Sequence, residues 1–406
     1  MGATTTFLLL YCAALATLPR TLPAQTGFAE IYAFGHQPDA HAPGGLVLGP
    51  DGALYGVGAS GGTYGYGAVF RLQPPSSSGG AWTETVLHSF TGQNGDGIVG
   101  GYLTTPVFGP NGALYGTNSG TVFELRPPAT PGGRWIENIL YSFPGPGVYP
   151  RSMLVGSGGT LYGTAFSGGA YGEGMVFAVS PPRLAGGPWT EHALYNFTGT
   201  VDGALPQSLI AGPNGVLYGT TALGGAFNNG VLFQLSPNPE PRDAWIQTVL
   251  FNFSIGIQNF SDSATVSLYS DGAIYGTALL STGSALIQLQ PGTSGPWTQT
   301  VLYTFPQNGT LLSSPLILRH GNLFGTTATI TGFGGQGRGG DVFELQKPAA
   351  SGDPWNEGIL HHFQKLDSPH GNVVFDTNGV IYGTTNTSNA APHGGYAYQL
   401  ILPAAN

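Results

Sequence analysis

The hydrophobic residues of this chain fall into short runs, each bounded by glycine, proline or asparagine. In one stretch the runs cover residues 208–211, 216–220, 231–235 and 245–253. Short bounded runs are typical of β-strands joined by turns, and none of them continues at the 3.6-residue spacing of a helix. The pattern therefore predicts an all-β chain built from four-stranded units, whose strands we call a, b, c and d in chain order.

Strand b carries the clearest repeat, an aromatic residue followed by glycine. It occurs seven times, at intervals of 47 to 60 residues: Tyr55-Gly56, Tyr115-Gly116, Tyr162-Gly163, Tyr218-Gly219, Tyr275-Gly276, Phe324-Gly325 and Tyr382-Gly383. This period is close to that of β-propeller blades and longer than that of most helical repeats. In most units an Asp-Gly or Asn-Gly pair joins strand a to strand b, which favours a tight hairpin.

Counting the d strands predicts how the ring closes. Six of them follow a tryptophan, namely Trp82, Trp135, Trp189, Trp245, Trp297 and Trp355. A seventh d-type strand, Ala29 to Phe34, lies near the N-terminus, and the last unit supplies only strands a, b and c. We therefore predict a seven-bladed β-propeller whose N-terminal strand joins the last blade, which closes the ring without a free edge. Because the Tyr-Gly pairs and the tryptophans recur around the ring, we interpret them as packing residues.

The amino-acid sequence of the repeat also resembles a known family. Residues 214–221, the glycine pair Gly224-Gly225 and residues 230–235 are similar to the GloVer tandem repeat. The resemblance extends over nearly all of the chain after residue 24. It implies a secreted bacterial protein, and it brings no catalytic residue with it.

Composition indicates export and one domain. The first 24 residues combine an apolar run at 7–18 with several alanines, as a secretory signal peptide does. We predict a signal peptide at 1–24 and a single propeller domain at 25–406, in the periplasm or outside the cell. Cys12 is the one cysteine of the chain and lies in the signal, so the mature domain is expected to have no disulfide.

Charge and hydropathy disfavour two classes of partner. The chain has 11 Lys and Arg against 20 Asp and Glu, a formal net charge of −9. Binding to nucleic acid is disfavoured, because phosphate recognition needs clustered basic residues. After the signal there is no apolar run of about 20 residues, so no membrane span is expected. We expect a monomer without a cofactor.

Functional residues are expected where the units differ. In a propeller the d-to-a and b-to-c loops emerge together around the mouth of the central channel, and we call this side the loop face. Loops commonly carry binding residues on a rigid scaffold. The candidate ligand-binding residues there are Asp39, His41, Tyr64, Tyr66, Asp96, Arg151, Tyr171, Asp202, Asp367 and His370. The same loops also contain His36, Tyr149, Phe227, Asp262, Phe333, Arg338 and His393.

Three functions are compatible with this set. Aromatic side chains beside acids suit a polysaccharide, because flat rings cover the apolar faces of sugars and polar groups orient hydroxyls. A polysaccharide lyase or hydrolase is the enzymatic alternative, with His41, Arg151 and His370 as candidate catalytic residues. The third alternative is a structural or adhesive surface protein. One deep pocket would favour an enzyme, a shallow aromatic track would favour binding, and dispersal of these residues would favour a structural role.

Metal binding on the loop face is a weaker hypothesis. The imidazoles and carboxylates of His36, Asp39, His41, Asp367 and His370 suit zinc or manganese if they meet where the ring closes. We expect solvated loop residues there instead. The Asp-Gly pairs at 96–97 and 202–203 lack the oxygen-rich spacing of a calcium loop, so they are interpreted as turns.

Overall fold

The described residues form seven antiparallel sheets, which confirm the predicted seven-bladed propeller. The computed structural model describes residues 27–35, 38–77, 79–93, 96–97, 105–130, 132–144, 148–184, 186–238, 245–254, 267–268, 272–280, 283–292, 296–305, 310–312, 314–329, 338–350, 352–364, 367–387 and 394–402. The predicted signal peptide, His36, Asp262, Phe333 and His393 lie outside these residues.

The strands follow the a, b, c, d order around the ring. The first described strand is β1 (Phe28–Ala33). Blade 1 comprises β2 (Ala40–Leu48), β3 (Leu54–Gly61), β4 (Ala68–Gln73) and β5 (Thr83–Ser89). Blade 2 comprises β6 (Val107–Phe108), β7 (Leu114–Asn118), β8 (Thr121–Arg126) and β9 (Ile136–Ser142). Blade 3 comprises β10 (Pro150–Val155), β11 (Leu161–Ala165), β12 (Met175–Ser180) and β13 (Thr190–Asn196).

The remaining blades repeat this order. Blade 4 comprises β14 (Ala204–Ala211), β15 (Leu217–Leu223), β16 (Val231–Pro237) and β17 (Trp245–Asn252). Blade 5 comprises β18 (Ser267–Leu268), β19 (Ile274–Leu280), β20 (Gly283–Gln290) and β21 (Thr298–Thr304). Blade 6 comprises β22 (Thr310–Leu312), β23 (Ile317–Arg319), β24 (Asn322–Thr329), β25 (Arg338–Gln346) and β26 (Asn356–Gln364). Blade 7 comprises β27 (Asp367–Phe375), β28 (Ile381–Thr387) and β29 (Tyr396–Leu400), together with β1. Single 3-10 turns at Ser157–Gly159 and Pro213–Gly215 join strands a and b in blades 3 and 4.

The N-terminal strand lies on the last blade. β1 pairs antiparallel with β29, with Phe28 opposite Leu400 and Ala33 opposite Tyr396. From β28 of the same blade, the Thr384 hydroxyl donates to the Gly44 carbonyl of blade 1 at 2.7 Å. The first and last described strands therefore pair in one sheet, and that sheet contacts the first blade.

The core lies between the blades. Each neighbouring pair, including the seventh and the first, shares a buried apolar cluster. The tyrosine of a Tyr-Gly pair packs against the tryptophan of the following blade, as in Tyr55 with Trp135 at 6.1 Å between ring centroids. The same arrangement recurs for Tyr115 with Trp189, Tyr162 with Trp245, Tyr218 with Trp297 and Tyr382 with Trp82. The prediction that the repeated aromatics are packing residues is confirmed for these pairs.

The glycine of the Tyr-Gly pair makes room for a ring from strand c. A Cβ atom on Gly56 would lie 2.5 Å from the Phe70 ring, and one on Gly116 would lie 2.5 Å from the Phe123 ring. Both phenylalanines are fully or almost fully buried. Glycine is therefore required at this position because the neighbouring strand packs a large ring directly over its backbone.

Every d strand contains a bulge at the same level. The register shifts between Val69 and Phe70 in blade 1 and between Val176 and Phe177 in blade 3, each time opposite one extra leucine on strand d, Leu87 and Leu194. Blades 2, 4, 5 and 6 shift at the same level, and β1 shifts at Ile31. A bulge reverses the alternation of the side chains that follow it. The d-strand residue after the bulge therefore turns toward the next blade.

Candidate functional site

Three aromatic side chains stand exposed at equivalent tips of the b-to-c loops. Tyr64 of blade 1 is 59% exposed, Tyr171 of blade 3 is 65% exposed and Phe227 of blade 4 is 58% exposed. Each follows two glycines by one residue, and the second glycine has positive φ, 67° at Gly62 and 74° at Gly169. Glycine adopts this conformation without steric cost, so the same tight turn forms in each loop.

One hydrogen-bonding scheme holds these three loops. The backbone N–H next to the aromatic residue donates to the last side chain of strand d: Ala170 to Asn196 Oδ1 at 2.8 Å, and Ala226 to Asn252 Oδ1 at 2.7 Å. In blade 1 Thr63 donates to Ser89 Oγ at 3.1 Å. A second bond closes each loop, as in Gly174 N–H to the Gly168 carbonyl at 3.0 Å. The exposed rings are therefore presented by braced loops.

Tyr66 has a different role from Tyr64. Its ring lies against Gly92, where a Cβ atom would come within 2.6 Å of it. Gly92 belongs to the d-to-a loop that follows β5. The contact joins a b-to-c loop to a d-to-a loop, so both types of loop lie on the loop face as the sequence predicts.

The acids of the d-to-a loops bind groups of the propeller itself. The Tyr32 hydroxyl lies 3.0 Å from Asp39 Oδ2, and the Tyr195 hydroxyl lies 3.0 Å from Asp202 Oδ2. Asp202 Oδ1 also accepts from the Thr198 hydroxyl at 2.6 Å. These carboxylates fold their own loops and tie them to strand d. Asp96 accepts from Thr91 in the same way, through the backbone N–H at 2.9 Å and the hydroxyl at 2.6 Å.

A polar belt that sequence reasoning missed runs between the outer strands. The residue after the d-strand bulge contacts an acid near the start of the next d strand: Tyr32 with Glu84 at 3.3 Å, Tyr141 with Glu191 at 3.5 Å and Tyr303 with Glu357 at 2.8 Å. We call these contacts the outer belt. Burial, with the nearby Asp39 carboxylate, raises the pKa of Glu84 to about 8. Burial also raises the pKa of Glu191 and of Glu357.

The three candidate catalytic residues lie on strands, and their assignment to loops was wrong. His41 is in β2, Arg151 in β10 and His370 in β27, the innermost strands of blades 1, 3 and 7. Asp367 also lies in β27. These strands continue past a proline through a bulge, as between Pro150 and Ser152. Proline is tolerated there because the innermost strand is an edge strand whose inner side needs no hydrogen bond.

Arg151 and His41 occupy enclosed positions. The Arg151 guanidinium lies 4.5 Å from the centre of the Phe166 ring, and its Nη1 contacts Gln207 Oε1 at 3.4 Å. The His41 Nε2 atom is buried and has no hydrogen-bond partner among the described residues. Asp367 lies beside Tyr396, where burial and this carboxylate together raise the pKa of the phenol. The side chains of Arg338 and His370 are outside what the structure describes.

A known family model matches part of the repeat region. Residues 107–285 match the model of the Gloeobacter/Verrucomicrobia repeat. The match confirms the family resemblance predicted from the Tyr-Gly units, and the Gloeobacter/Verrucomicrobia repeat covers most of blades 2 to 5. No curated protein matches the chain.

Solved structures agree with the fold at low sequence identity. The extracellular domain of a candidate hybrid two-component system from B. thetaiotaomicron has a TM-score of 0.55 and 12% identity, over 93% of this chain and 40% of that one. A puromycin-hydrolyzing peptidase of Mycobacterium tuberculosis has a TM-score of 0.54 and 12% identity, over 90% of this chain and 53% of that one. The chain thus spans 40 to 53% of the length of these two proteins. At this identity the likeness concerns the fold alone.

No helix among the residues that the structure describes is long and apolar enough to cross a membrane.

Proposed function

We propose that this protein is a secreted propeller that binds an extracellular polysaccharide through the loop face. The observation that carries the proposal is the set of exposed rings of Tyr64, Tyr171 and Phe227 on equivalent, braced loops. Loops on a rigid scaffold commonly carry binding residues, and aromatic side chains are common in ligand-binding sites. The signal-like N-terminus and the extracellular origin of the B. thetaiotaomicron neighbour support the location.

A polysaccharide fits the chemistry of these tips. Flat rings cover the apolar faces of sugars, and the phenol hydroxyls of the two tyrosines can exchange hydrogen bonds with sugar hydroxyls. Rigid loops also reduce the entropy lost on binding. Binding without turnover agrees with the internal hydrogen bonds that Asp39 and Asp202 already accept.

The test compares two triple variants with the parent protein on a broad glycan array. Tyr64→Ala, Tyr171→Ala and Phe227→Ala together should weaken binding by about tenfold to hundredfold, since each stacked ring contributes on the order of 1 kcal/mol. The matched control replaces exposed apolar residues away from the loop face, Ile136→Ala, Leu184→Ala and Ile246→Ala. The control should bind like the parent.

Three outcomes would overturn the proposal. The parent protein binding no glycan would leave the structural or adhesive role ahead. Equal loss of binding in the control triple would show that the loop tips are not the site. Unsaturated or shortened products in the same incubations would show a lyase or a hydrolase, and would direct mutagenesis to His41, Arg151 and His370.

A further inference from the structure

Among the described residues, one position of the outer belt has an imidazole in place of the phenol between two carboxylates. His88 follows the bulge of β5, Asp96 lies in the d-to-a loop after it, and Glu137 lies on β9 of blade 2. The His88 Nε2 atom is 3.3 Å from Glu137 Oε2 and 3.8 Å from Asp96 Oδ1. All three side chains are largely buried at the junction of the two blades.

The equivalent position in blade 7 shows what normally satisfies such carboxylates. There the Tyr32 hydroxyl reaches Asp39 at 3.0 Å and Glu84 at 3.3 Å. A phenol thus joins the loop acid to the acid of the next blade. In blade 1 the imidazole is shorter than a phenol. Its Nε2 atom therefore lies farther from the Asp96 and Glu137 oxygens than is usual for a hydrogen bond.

Three buried polar atoms at this position lack a hydrogen-bond partner among the described residues. They are His88 Nε2, Asp96 Oδ1 and Glu137 Oε1. Buried polar atoms are nearly always paired, and an unpaired one costs free energy. A cation that binds His88 Nε2, Asp96 Oδ1 and the Glu137 carboxylate at once would offset this cost.

We propose that His88, Asp96 and Glu137 bind a divalent transition-metal ion of the zinc or manganese class. The three ligand atoms lie within 4.8 Å of one another. Atoms that each lie about 2.1 Å from a tetrahedral zinc ion are about 3.4 Å apart, so the distances from His88 need little adjustment. One imidazole and two carboxylates are a ligand set that both ions accept.

The surroundings orient the ligands toward a common point. Both Thr91 donors bind Asp96 Oδ2, which leaves Oδ1 directed to His88. Such hydrogen bonds to the second oxygen of a carboxylate fix the orientation of metal ligands. Three protein ligands leave a fourth position for water. This site lies between blades 1 and 2, away from the ring seam where the sequence grouped His36, His41 and His370.

The experiment titrates EDTA-treated full-length protein with Zn²⁺, Mn²⁺ and Ca²⁺, using calorimetry for stoichiometry and thermal unfolding for stability. One equivalent of Zn²⁺ or Mn²⁺ should bind and raise the Tm, because an ion that binds the folded state stabilises it. His88→Tyr restores the side chain that Tyr32 provides in blade 7. It should fold at least as well without metal and bind the ion at least about tenfold more weakly.

Two further variants make the result decisive. Glu137→Gln should also lose the ion. This variant tests the site if His88→Tyr does not fold. His362→Ala removes an exposed histidine on β26 that pairs with Asp341, and should leave binding unchanged. Failure of the parent protein to bind a stoichiometric ion would overturn the proposal, as would binding by His88→Tyr equal to that of the parent.

Discussion

At the residue scale, the repeat is a set of ring-over-glycine contacts, and two blades depart from it. In blade 5 the residue opposite Gly276 is Ile287. Strand c of most blades packs phenylalanine over the glycine of the Tyr-Gly pair, as at Phe70, Phe123 and Phe177. In blade 7 the equivalent residue is Tyr398, opposite Gly383. Its ring is fully buried, and its hydroxyl has no hydrogen-bond partner among the described residues. The extra oxygen is therefore a local weakness in the core.

We expect Tyr398→Phe to stabilise the protein. Removing a buried, unpaired hydroxyl while keeping the ring should raise the free energy of unfolding by about 1 kcal/mol. Thermal or urea unfolding measures the change. Tyr382→Phe is the control, because the Tyr382 hydroxyl reaches Asp376 Oδ2 at 3.4 Å and its loss should bring no gain. Lower stability of Tyr398→Phe would mean that this hydroxyl is bonded after all.

The same residue-scale view explains which site features the sequence could reveal. The positions of Tyr64, Tyr171 and Phe227 were visible because each follows a glycine pair. The role of Asp39, Asp96 and Asp202 was not visible, because a loop acid has the same sequence signature whether it binds a ligand or folds its own loop. The groups that lie near the acid in the folded protein decide between these two roles, and the sequence around the acid does not show which groups these are.

At the element scale, the N-terminal strand does for blade 7 what a local d strand does for the others. β1 pairs with β29, and Phe34, just after the strand, is buried against Phe70 of blade 1 at 4.9 Å between ring centroids. The counting of d strands predicted this pairing. The prediction worked because the ending of each d strand, an aromatic or His, one residue and then Phe, also occurs at residues 32–34.

Deleting residues 28–34 should lower stability sharply. The loss of the buried Phe34 ring alone is worth about 3 to 5 kcal/mol, and β29 would become an exposed edge prone to association. Unfolding by urea and size-exclusion chromatography measure the two effects. A synthetic peptide of residues 27–35 should restore stability when added to the truncated protein, whereas a scrambled peptide should not. A truncated protein as stable as the parent would contradict the role of β1 in closing blade 7.

The d-strand bulge is an element-scale feature that the sequence pattern concealed. A run such as Val86-Leu87-His88 has the sequence of an uninterrupted strand. In the structure, however, the extra leucine shifts the pairing of β5 with β4 by one residue and turns His88 toward Glu137 of blade 2. In hindsight the signal was present. Glutamate recurs two residues after a tryptophan at Glu84, Glu137, Glu191 and Glu357. Recurrence alone could not predict its partner, because that partner lies on the preceding blade.

At the scale of the whole molecule, the outer belt buries acids in a protein with a formal net charge of −9. Burial raises the pKa of Glu84 to about 8 and also raises the pKa of Glu191 and Glu357. The pKa values of Asp51 and Asp202 are lowered instead. Burial acts to raise their pKa values, but hydrogen bonds, including one from Arg71 to Asp51 and those from Thr198 to Asp202, outweigh it and lower them. The two groups of acids oppose each other in their effect on stability.

The sign of each effect follows from proton binding. A glutamate with a raised pKa holds more protons in the folded state, so stability falls as pH rises from about 4.5 through about 8. An aspartate with a lowered pKa contributes stability above its ordinary pKa of 3.8, and that contribution is lost as pH falls through the lower folded value. We therefore expect the Tm to be highest at mildly acidic pH, near 5, and lower at pH 8.5.

The Glu84→Gln variant distinguishes the effect of the outer belt on the Tm from the effect of the overall net charge. Self-repulsion of an acidic protein also grows with pH, so the fall in Tm of the parent has two causes. Glu84→Gln removes a buried titrating group and should flatten the fall between pH 5 and pH 8.5. Asp353→Asn also removes one formal negative charge, at an exposed loop residue, and should leave most of the slope in place. Equal slopes in the two variants would assign the pH dependence to net charge and not to the carboxylates buried between the blades.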